Sequence, residues 1–418
     1  MEKNEQMRAV LAAVDTGEYD CDMSVKELDG LCKTAGLAVC GAVVQEKKTP
    51  DAATFLGRGK LEELAQAADR MDAGLLVFDG ELSGSQIRNI EELTQLAVLD
   101  RTTLILDIFA KNALTKEGAI QVELAQLRYR LPRLAGMGKN LSRLGAGIGT
   151  RGPGESKLES DRRHIARRIA ALQRQLKEIE RRRGLAESRR QKNGVKTVAL
   201  AGYTNVGKST LLNTLTGSGV LTENKLFATL DPTARQLRLP DGGQAVLIDT
   251  VGFISRLPHH LVEAFRSTLG HIGGADLILN VCDVTSPYYE KQDEVTRQVL
   301  NDLHCGHIPV LSVLNKMDAA GGPVLLPRRE AVCISAKTGL GLPELLHRIE
   351  RELYGPARVF TFLVPYSDGG AAAAIRNGSR LLEETYTDSG QRLVVRCGTH
   401  FAGQWRQYLQ VTRPEPVK

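Results

Sequence analysis

The sequence predicts an α/β fold whose largest domain is a parallel sheet flanked by helices. Short apolar runs alternate with amphipathic stretches over residues 7–102 and again over 195–354, which is the pattern of β-α-β units. Two leucine- and isoleucine-rich helical patterns lie between these regions. After Pro356 the rhythm changes to two strands around a helical stretch. We therefore expect four segments: an α/β domain at 1–114, a helical hairpin at 115–194, a second α/β domain at 195–355 and a small α/β appendage at 356–418.

The first segment is predicted to be a small parallel α/β layer. Its predicted strands are Met7–Val14, Leu37–Val44, Leu75–Asp79 and Ala97–Asp100, and its helical patterns lie near 24–35, 59–71 and 84–95. Within it, Leu56-Gly57-Arg58-Gly59-Lys60 weakly resembles a phosphate loop. It lacks the four-residue spacer and the Ser/Thr after Lys, so we interpret it as a turn that leads into a helix.

The second segment is predicted to be an antiparallel helical hairpin. Apolar residues recur at alternating steps of four and three in two stretches: Ile120, Leu124, Leu127, Leu131 and Leu134, then Ile165, Ile169, Leu172, Leu176 and Ile179. The connection at 136–154 has seven glycines in 19 residues and no acidic residue. Such a loop cannot build a core. It is either a disordered linker or a basic loop that orders on phosphate groups, and we favour the second interpretation, with Lys139, Arg143 and Arg151 as the RNA-binding candidates.

Charge is distributed unevenly along the chain. The 418 residues include 55 Lys+Arg and 49 Asp+Glu, a net charge of +6. Residues 126–192 alone carry 19 basic and 6 acidic residues, a net of +13, so the remainder is at −7. A solvated helix face is the ordinary explanation of a basic run. Because the charge persists over 67 residues, we expect contact with nucleic acid.

Several classes of protein are excluded. No apolar run approaches the roughly 18 residues that cross a bilayer, and the polar N-terminus has no signal-peptide core. The seven cysteines include no CxxC pair, which suits a reducing compartment better than a disulfide or zinc framework. We therefore expect a cytoplasmic protein with free thiols.

A phosphate-binding motif follows the first strand of the third segment. Gly202-Tyr203-Thr204-Asn205-Val206-Gly207-Lys208-Ser209 is a full GxxxxGK[ST] pattern between strand 195–201 and a helix at 211–215. Its backbone N–H groups and the helix N-terminus suit a β-phosphate, Lys208 can reach the β/γ oxygens, and the Ser209 hydroxyl can ligate Mg²⁺. The strand, loop and helix context makes this a strong prediction of a nucleotide site.

Three further motifs follow later strands. Asp249-Thr250-Val251-Gly252 ends the strand at 245–248, where a carboxylate can hold Mg²⁺ through water and the Gly252 amide can sense a γ-phosphate. Asn315-Lys316-Met317-Asp318 follows strand 310–314, and Ser335-Ala336-Lys337 follows strand 331–334. Asp318 can accept hydrogen bonds from guanine that adenine cannot offer, so we expect selectivity for GTP over ATP.

With these four motifs in order, residues 195–354 resemble a translation-factor-class GTPase domain. More narrowly, the chain resembles the HflX family of ribosome-associated GTPases. The resemblance rests on GYTNVGKST, DTVGF, Phe227-Ala228-Thr229-Leu230-Asp231-Pro232-Thr233 and the glycine-rich block 145–155, and it covers about 355 residues. It implies a basic N-terminal region that binds the large ribosomal subunit and its rRNA, with a role in ribosome splitting or rescue under stress.

The resemblance also assigns residues that the spacing alone leaves open. By motif, Thr229 is the switch threonine that completes the Mg²⁺ shell, and 227–231 line the nucleotide; without the resemblance, Thr229 and Thr233 are equal candidates. Asn205 resembles a position that helps to hold a monovalent cation in some related GTPases, so K⁺ is a candidate second ion.

One position departs from the usual GTPase pattern. Many GTPases place a Gln directly after DxxG to orient the attacking water, but Phe253 stands there and cannot handle a proton. The catalytic group is therefore unknown, and we expect slow intrinsic hydrolysis, with water positioned by backbone groups near Thr229 and Gly252 or by a partner. Arg235, Arg238 and Arg256 are nearby basic candidates.

Three hypotheses about function follow. The first is a switch in which GTP orders the segments 225–233 and 250–256 and hydrolysis releases them. A monomer is the simpler expectation for such a ribosome-bound switch. The second is an enzymatic N-terminal layer, for which we find no constellation of catalytic residues. The third is a nucleotide-stabilised rRNA-binding scaffold or assembly factor in which GTP turnover is incidental, and Phe253 keeps that alternative open.

Overall fold

The computed structural model describes residues 6–137, 153–192, 195–217, 226–227, 229–258, 261, 270, 272–320 and 331–410. The chain divides into two compact units. The N-terminal unit consists of Met1–Leu185 together with Glu223–Asp231 and Ser255–Ser267, and the second unit consists of Ala186–Thr222, Pro232–Ile254 and Thr268–Lys418. Two short segments from the predicted GTPase region therefore belong to the N-terminal unit.

The N-terminal unit contains a four-stranded parallel sheet. Its strands are β1 (Arg8–Asp15), β2 (Ala38–Glu46), β3 (Leu75–Phe78) and β4 (Ala97–Asp100), in the order β2-β1-β3-β4. The helices are α1 (Cys21–Ala35), α2 (Arg58–Arg70), α3 (Gly84–Thr94) and α4 (Arg101–Asn112). The predicted α/β fold is confirmed. Helix α4 was not predicted, because its apolar run follows β4 without an intervening turn.

The core of this sheet explains its continuous apolar strands. Parallel strands are covered on both faces, so the successive side chains of Ala9–Val14 in β1 and all four side chains of β3 are buried. One face packs against α2 and α3, in a cluster that includes Val10, Val14, Leu64, Phe78 and Ile90. Helix starts are fixed locally: Asp20 accepts the Met23 N–H at the start of α1, and Ser83 forms a capping box with Gln86 at α3.

Two long helices form the predicted hairpin. They are α5 (Lys116–Met137) and α6 (Pro153–Lys192), and their apolar seams pack together around buried Ile120, Leu124 and Leu172. The side chains of Leu127, Ile169, Leu176 and Ile179 extend this contact. Arg168 adds a bidentate ion pair to Glu123, at 2.7 and 2.8 Å. The glycine-rich loop between the helices, including Lys139, Arg143 and Arg151, lies outside the described residues.

The second unit contains a six-stranded sheet. Its strands are β5 (Lys196–Gly202), β6 (Thr233–Arg238), β7 (Gln244–Asp249), β8 (Leu277–Asp283), β9 (Val310–Asn315) and β10 (Val332–Cys333), in the order β10-β9-β8-β5-β7-β6. All neighbours are parallel except β6, which pairs antiparallel with β7. The helices described here are α7 (Lys208–Thr216), α8 (Tyr289–Asp302) and α9 (Leu342–Tyr354). The ends of β5, β7, β9 and β10 carry the four sequence motifs to one edge of the sheet.

The C-terminal appendage is a small antiparallel sheet with two short helices. Strands β11 (Ala357–Val364), β12 (Arg380–Thr387), β13 (Gly390–Gly398) and β14 (Leu409–Gln410) lie in the order β12-β13-β11-β14. Helices α10 (Gly369–Asn377) and α11 (Thr399–Gln404) cover it. Across the described parts of both units, none of the helices combines the length and the apolar character needed to traverse a bilayer.

Candidate nucleotide site

The phosphate loop joins β5 to α7 in a conformation that requires glycine at two positions. Gly202 has φ +146°, and a β-carbon there would overlap the Val281 carbonyl. Gly207 has φ +95°, and its β-carbon would lie 2.5 Å from Nδ2 of Asn315. Both residues therefore keep the loop close to the neighbouring strands. The first turn of α7 begins at Lys208, so the free N–H groups of the helix face the loop.

Lys208 and Ser209 lie at the centre of this loop. The Lys208 ammonium is buried and donates to the carbonyls of Gly202 at 3.1 Å and Tyr203 at 2.7 Å. Burial lowers its pKa to about 8, against the opposing attraction of the Asp249 carboxylate. The Ser209 hydroxyl donates to Asp249 Oδ2 at 2.6 Å. A hydroxyl and a carboxylate this close form an oxygen donor set of the kind that Mg²⁺ prefers.

The DTVG segment packs directly against the phosphate loop. Asp249 and Thr250 are fully buried, and the Thr250 hydroxyl donates to Leu200 O at 2.6 Å. A β-carbon on Gly252 would lie 2.8 Å from Thr204 Cα and 3.0 Å from Lys208 Nζ. Gly252 thus touches the loop at the position where only glycine fits.

Phe253 has a role that the sequence did not suggest. Its N–H donates to Gly202 O at 3.1 Å and its carbonyl accepts the Thr204 N–H at 2.7 Å. The ring is 1% exposed. The backbone of Phe253 therefore joins the DTVG segment to the phosphate loop, and its ring is part of the core.

Hydrogen bonds connect the NKMD and SAK motifs, the two segments predicted to recognise the base. Asn315 donates to Val206 O at 2.8 Å and accepts the Ala336 N–H at 2.9 Å, which links the phosphate loop to both motifs. Asp318 accepts a hydrogen bond from the Ser335 hydroxyl at 2.6 Å, and this hydrogen bond lowers the pKa of its carboxyl group. The structure thus brings the predicted residues of 315–318 and 335–337 together.

Lys316 has an acidic partner, Asp283, that the sequence analysis did not predict. Its ammonium donates to Asn205 O at 2.9 Å and forms a 2.6 Å ion pair with Asp283, at the end of β8. Both Lys316 and Asn205 have positive φ values, +67° and +61°. The signal that could have revealed Asp283 is the one that revealed Asp249, an acidic residue that ends a buried apolar strand.

The predicted switch residues 227–231 lie in the N-terminal unit. The Phe227 ring meets Phe109 edge-on at 4.8 Å, and its carbonyl accepts from Asn112 Nδ2 at 2.8 Å. The Asp231 carboxylate accepts the N–H groups of Leu114 and Thr115, both at 2.7 Å, and the Thr115 hydroxyl. Thr229 is half-buried and Leu230 is buried; Ala228 lies outside the described residues.

The three basic candidates near the motifs are placed differently. Arg235 and Arg238 are exposed on β6. Arg256 belongs to the N-terminal unit, where its guanidinium forms a 2.8 Å ion pair with the buried carboxylate of Asp79. Arg256 is therefore held by protein groups in this conformation.

One cluster of potential metal ligands lies elsewhere in the second unit. Ligand atoms of Asp241, His347 and Glu350 lie within 4.8 Å of one another. However, Glu350 accepts the N–H of Asp241 at 2.9 Å, and Asp241 forms a 3.1 Å ion pair with Arg396. We interpret this cluster as a link between the β6–β7 turn, α9 and the C-terminal sheet.

A phosphate loop, a DxxG segment and an NKxD loop on the strand ends of one mostly parallel sheet define a P-loop GTPase. Three family models match the chain: "GTP-binding GTPase N-terminal" at 22–110, "GTP-binding GTPase Middle Region" at 112–190 and "50S ribosome-binding GTPase" at 197–316. The chain belongs to the HflX family of GTPases.

Three curated relatives, each named GTPase HflX, illustrate the similarity. The protein of Caldanaerobacter subterraneus subsp. tengcongensis is 49% identical over 385 residues, 92% of this chain and 89% of the relative. That of Lacrimispora saccharolytica is 47% identical and covers 93% of each chain. That of Escherichia coli is 42% identical over 357 residues and covers 84% of each. The predicted GTPase activity and family are thus confirmed.

Proposed function

We propose that this GTPase is a switch that associates with the large ribosomal subunit through its basic N-terminal region, and that it acts in ribosome splitting or rescue under stress. The observation that carries the proposal is the position of Asp231 and Arg256. Asp231 lies a few residues after Thr229, and Arg256 lies a few residues after Gly252; Thr229 and Gly252 are the predicted nucleotide-sensing residues. Both Asp231 and Arg256 are bound within the N-terminal unit, which also carries the basic hairpin. The description of the matching family model as a 50S ribosome-binding GTPase supports the same partner.

The nucleotide chemistry follows from the site. Backbone N–H groups of the phosphate loop and the charged Lys208 hold the phosphates, and Ser209 with Thr229 holds Mg²⁺, which neutralises charge on the phosphate oxygens when bound. The 2.6 Å contact between Ser209 and Asp249 supports this assignment. Asn205 marks the place for K⁺ as a second ion.

Guanine selectivity resides in Asp318. The hydrogen bond from Ser335 favours its ionised carboxylate, whose two acceptor oxygens would match N1–H and the exocyclic amine of a bound guanine. The link from Asn315 to Val206 and Ala336 holds this loop in register with the phosphate loop.

Hydrolysis is slow without a partner. Phe253 is buried beneath the phosphate loop and cannot orient water. Backbone groups near Thr229 and Gly252 position the water, and contact with the ribosome completes or orders this arrangement.

One face of α6 supports contact with RNA. Arg163, Arg167, Arg174 and Arg181 are exposed and lie within about 40° of one another, on the side of the helix opposite the apolar seam. Arg167, Arg174 and Arg181 recur every seventh residue, about 10.5 Å apart along the axis. Arg163 and Arg181 form ion pairs with Glu159 and Glu178 of the same helix, whereas Arg167 and Arg174 form none with another described residue. Such a stripe suits successive backbone phosphates.

The test is co-sedimentation with isolated large ribosomal subunits, with a non-hydrolysable GTP analogue or GDP. We expect binding to be favoured by the analogue, and to be weakened when residues 136–154 are deleted or when Arg143 and Arg151 are changed to Gln. The double substitution should lower the slope of log affinity against log salt by about one per lost phosphate contact. Changing the exposed Arg380 and Arg406 to Gln is the charge-matched control and should leave binding unchanged.

A second candidate function is a nucleotide-stabilised rRNA-binding scaffold or assembly factor, which the burial of Phe253 favours. It predicts ribosome binding that is the same with either nucleotide, and no stimulation of GTP hydrolysis by ribosomes. Nucleotide-dependent binding with stimulated hydrolysis would exclude it. Lys208→Ala and Ser209→Ala should abolish the GTP-dependent behaviour, and normal GTP affinity in either variant would contradict the site assignment.

A further inference from the structure

Thr204, the third residue of the phosphate loop, carries a buried hydroxyl that the hydrogen bonds of the fold do not use. The residue is 6% exposed, and its Oγ1 has no hydrogen-bond partner in the part of the chain that the structure describes. By contrast, the buried hydroxyl of Thr250, on the facing DTVG segment, donates to Leu200 O at 2.6 Å. A buried polar group without a partner is unfavourable, so the hydroxyl of Thr204 calls for an explanation outside the fold.

The backbone of Thr204 is held by the residue that stands in place of the usual glutamine. The Thr204 N–H donates to Phe253 O at 2.7 Å, and the Phe253 N–H donates to Gly202 O at 3.1 Å. These two hydrogen bonds fix Thr204 against the DTVG segment through protein contacts alone. A side chain on such a backbone is positioned before any nucleotide binds, which is the arrangement that catalysis favours.

The side chain of Thr204 lies where the predicted γ-phosphate contacts converge. A β-carbon on Gly252 would lie 2.9 Å from Thr204 Cγ2 and 3.0 Å from Lys208 Nζ. The backbone of Gly252, the Lys208 ammonium and the Thr204 side chain therefore meet at one point of the second unit. The hydroxyl of Thr204 shares its β-carbon with the methyl group that contacts Gly252. We therefore expect a γ-phosphate that is held by Lys208 and the Gly252 amide to lie within reach of Oγ1.

A hydroxyl suits this place because it can donate one hydrogen bond and accept another. In hydrolysis, the oxygen of a water molecule forms a bond to the γ-phosphorus, and the bond from that phosphorus to the β–γ bridging oxygen breaks. The electron pair of the broken bond leaves with GDP, and both hydrogens of the water leave with the phosphate, which then releases one according to the pH. A hydroxyl that accepts from the water and donates to a γ-phosphate oxygen aligns the two reacting groups without gaining or losing a proton.

We propose that Thr204 is a catalytic residue of GTP hydrolysis, whose hydroxyl orients the attacking water against the γ-phosphate. This is the task of the Gln that follows DxxG in many GTPases, and here the side chain for it comes from the phosphate loop. The inference rests on the proposed position of the γ-phosphate between Lys208 and Gly252. Because GDP has no γ-phosphate, the hydroxyl contributes to hydrolysis and not to GDP binding.

The test is single-turnover hydrolysis of radiolabelled GTP by the full chain, together with the affinity for fluorescent GDP. Thr204→Val keeps nearly the same shape and removes the hydroxyl. It should lower the hydrolysis rate at least tenfold, as loss of a group that contacts the transition state does, while GDP affinity stays within twofold. Thr204→Ser keeps the hydroxyl and should retain the wild-type rate within threefold.

Thermal unfolding without nucleotide separates a catalytic hydroxyl from a structural one. Thr204→Val should unfold at the wild-type Tm or above it, because the substitution removes a buried hydroxyl that has no described partner. The matched control is Thr296→Val in α8 of the same unit. Thr296 is 1% exposed and its hydroxyl donates to Gln292 O at 2.9 Å within its own helix, so this variant should hydrolyse GTP at the wild-type rate.

The outcomes separate this inference from the proposed site. If Lys208→Ala abolishes nucleotide binding but Thr204→Val hydrolyses GTP at the wild-type rate, the role of Thr204 is overturned while the site assignment stands. If Lys208→Ala binds both nucleotides normally, the proposed site is wrong. An equal loss of rate in Thr204→Ser, or a lower Tm of Thr204→Val, would assign the effect to packing. Recovery of the Thr204→Val rate at higher K⁺ concentration would assign the hydroxyl to a cation site. Either of these last two results would also overturn the role of Thr204.

Discussion

Asp231 offers the most direct test of how the predicted switch segment is held. We expect Asp231→Ala to loosen the first turn of α5, because its carboxylate accepts the N–H groups of Leu114 and Thr115, both at 2.7 Å. Thr115 in turn accepts the Gly118 N–H at 3.0 Å and so caps the helix. The substitution removes the acceptor for three donors at once.

The magnitude follows from these contacts. A hydrogen bond to a charged group contributes about 1.5–3 kcal/mol, and a carboxylate near a helix N-terminus adds about 0.3–1 kcal/mol. Asp231 is partly exposed, so water competes for these donors and the sum must be discounted. We take about 2 kcal/mol, which corresponds to an opening equilibrium about thirtyfold more favourable.

The assay is native-state hydrogen exchange resolved at the amides of Leu114 and Thr115, which are the groups that Asp231 holds. Asp20→Ala is the matched control, because Asp20 caps α1 in the same unit by accepting the Met23 N–H at 2.9 Å. It should accelerate exchange at Met23 only. If Asp20→Ala has this effect while Asp231→Ala leaves Leu114 and Thr115 unchanged, the carboxylate of Asp231 does not hold α5.

Two further predictions concern the second unit. Asp318→Asn should relax the preference for guanine over adenine nucleotides, measured by competition between GDP and ADP. Ser335→Ala should shift this preference less, in the same direction, because Asp318 keeps its charge. An unchanged preference in Asp318→Asn would contradict the role of this carboxylate. Asn315→Ala should weaken GDP binding at least tenfold in calorimetric titrations, because it leaves the Val206 carbonyl and the Ala336 N–H without their buried partner. Each unsatisfied group costs about 1–3 kcal/mol. Substitution of the exposed Asn301 by Ala is the control, and equal GDP affinities in the two variants would refute the argument.

The sequence predicted the parts of the site that are encoded locally. The phosphate loop, DTVG and NKMD each combine a strand, a turn and a few chemically specific residues within about ten positions, so their spacing alone places them at one sheet edge. Strand β6 escaped prediction because Thr233–Arg238 lacks an apolar alternation, as suits an edge strand with mostly exposed side chains.

The contacts of the predicted switch segments could not be predicted in this way. Arg256 meets Asp79 across 177 positions, and Asp231 meets Leu114 across 117 positions. No periodicity connects residues so far apart, and each looks like an ordinary surface charge in its own segment. Phe253 illustrates the same limit: the sequence revealed the missing Gln, and only the structure revealed that the ring is part of the core.

The length of the hairpin gives the Asp231 contact a mechanical consequence. Helix α5 has 22 residues and is therefore about 33 Å long, with the Asp231 carboxylate at its first turn. A tilt of about 5° about that end displaces Met137 by about 3 Å, as much as the whole length of a hydrogen bond. A movement of a fraction of an ångström where Asp231 contacts the start of α5 thus becomes a larger displacement at Met137. That displacement is large enough to make or break contacts, so the hairpin acts as a lever arm.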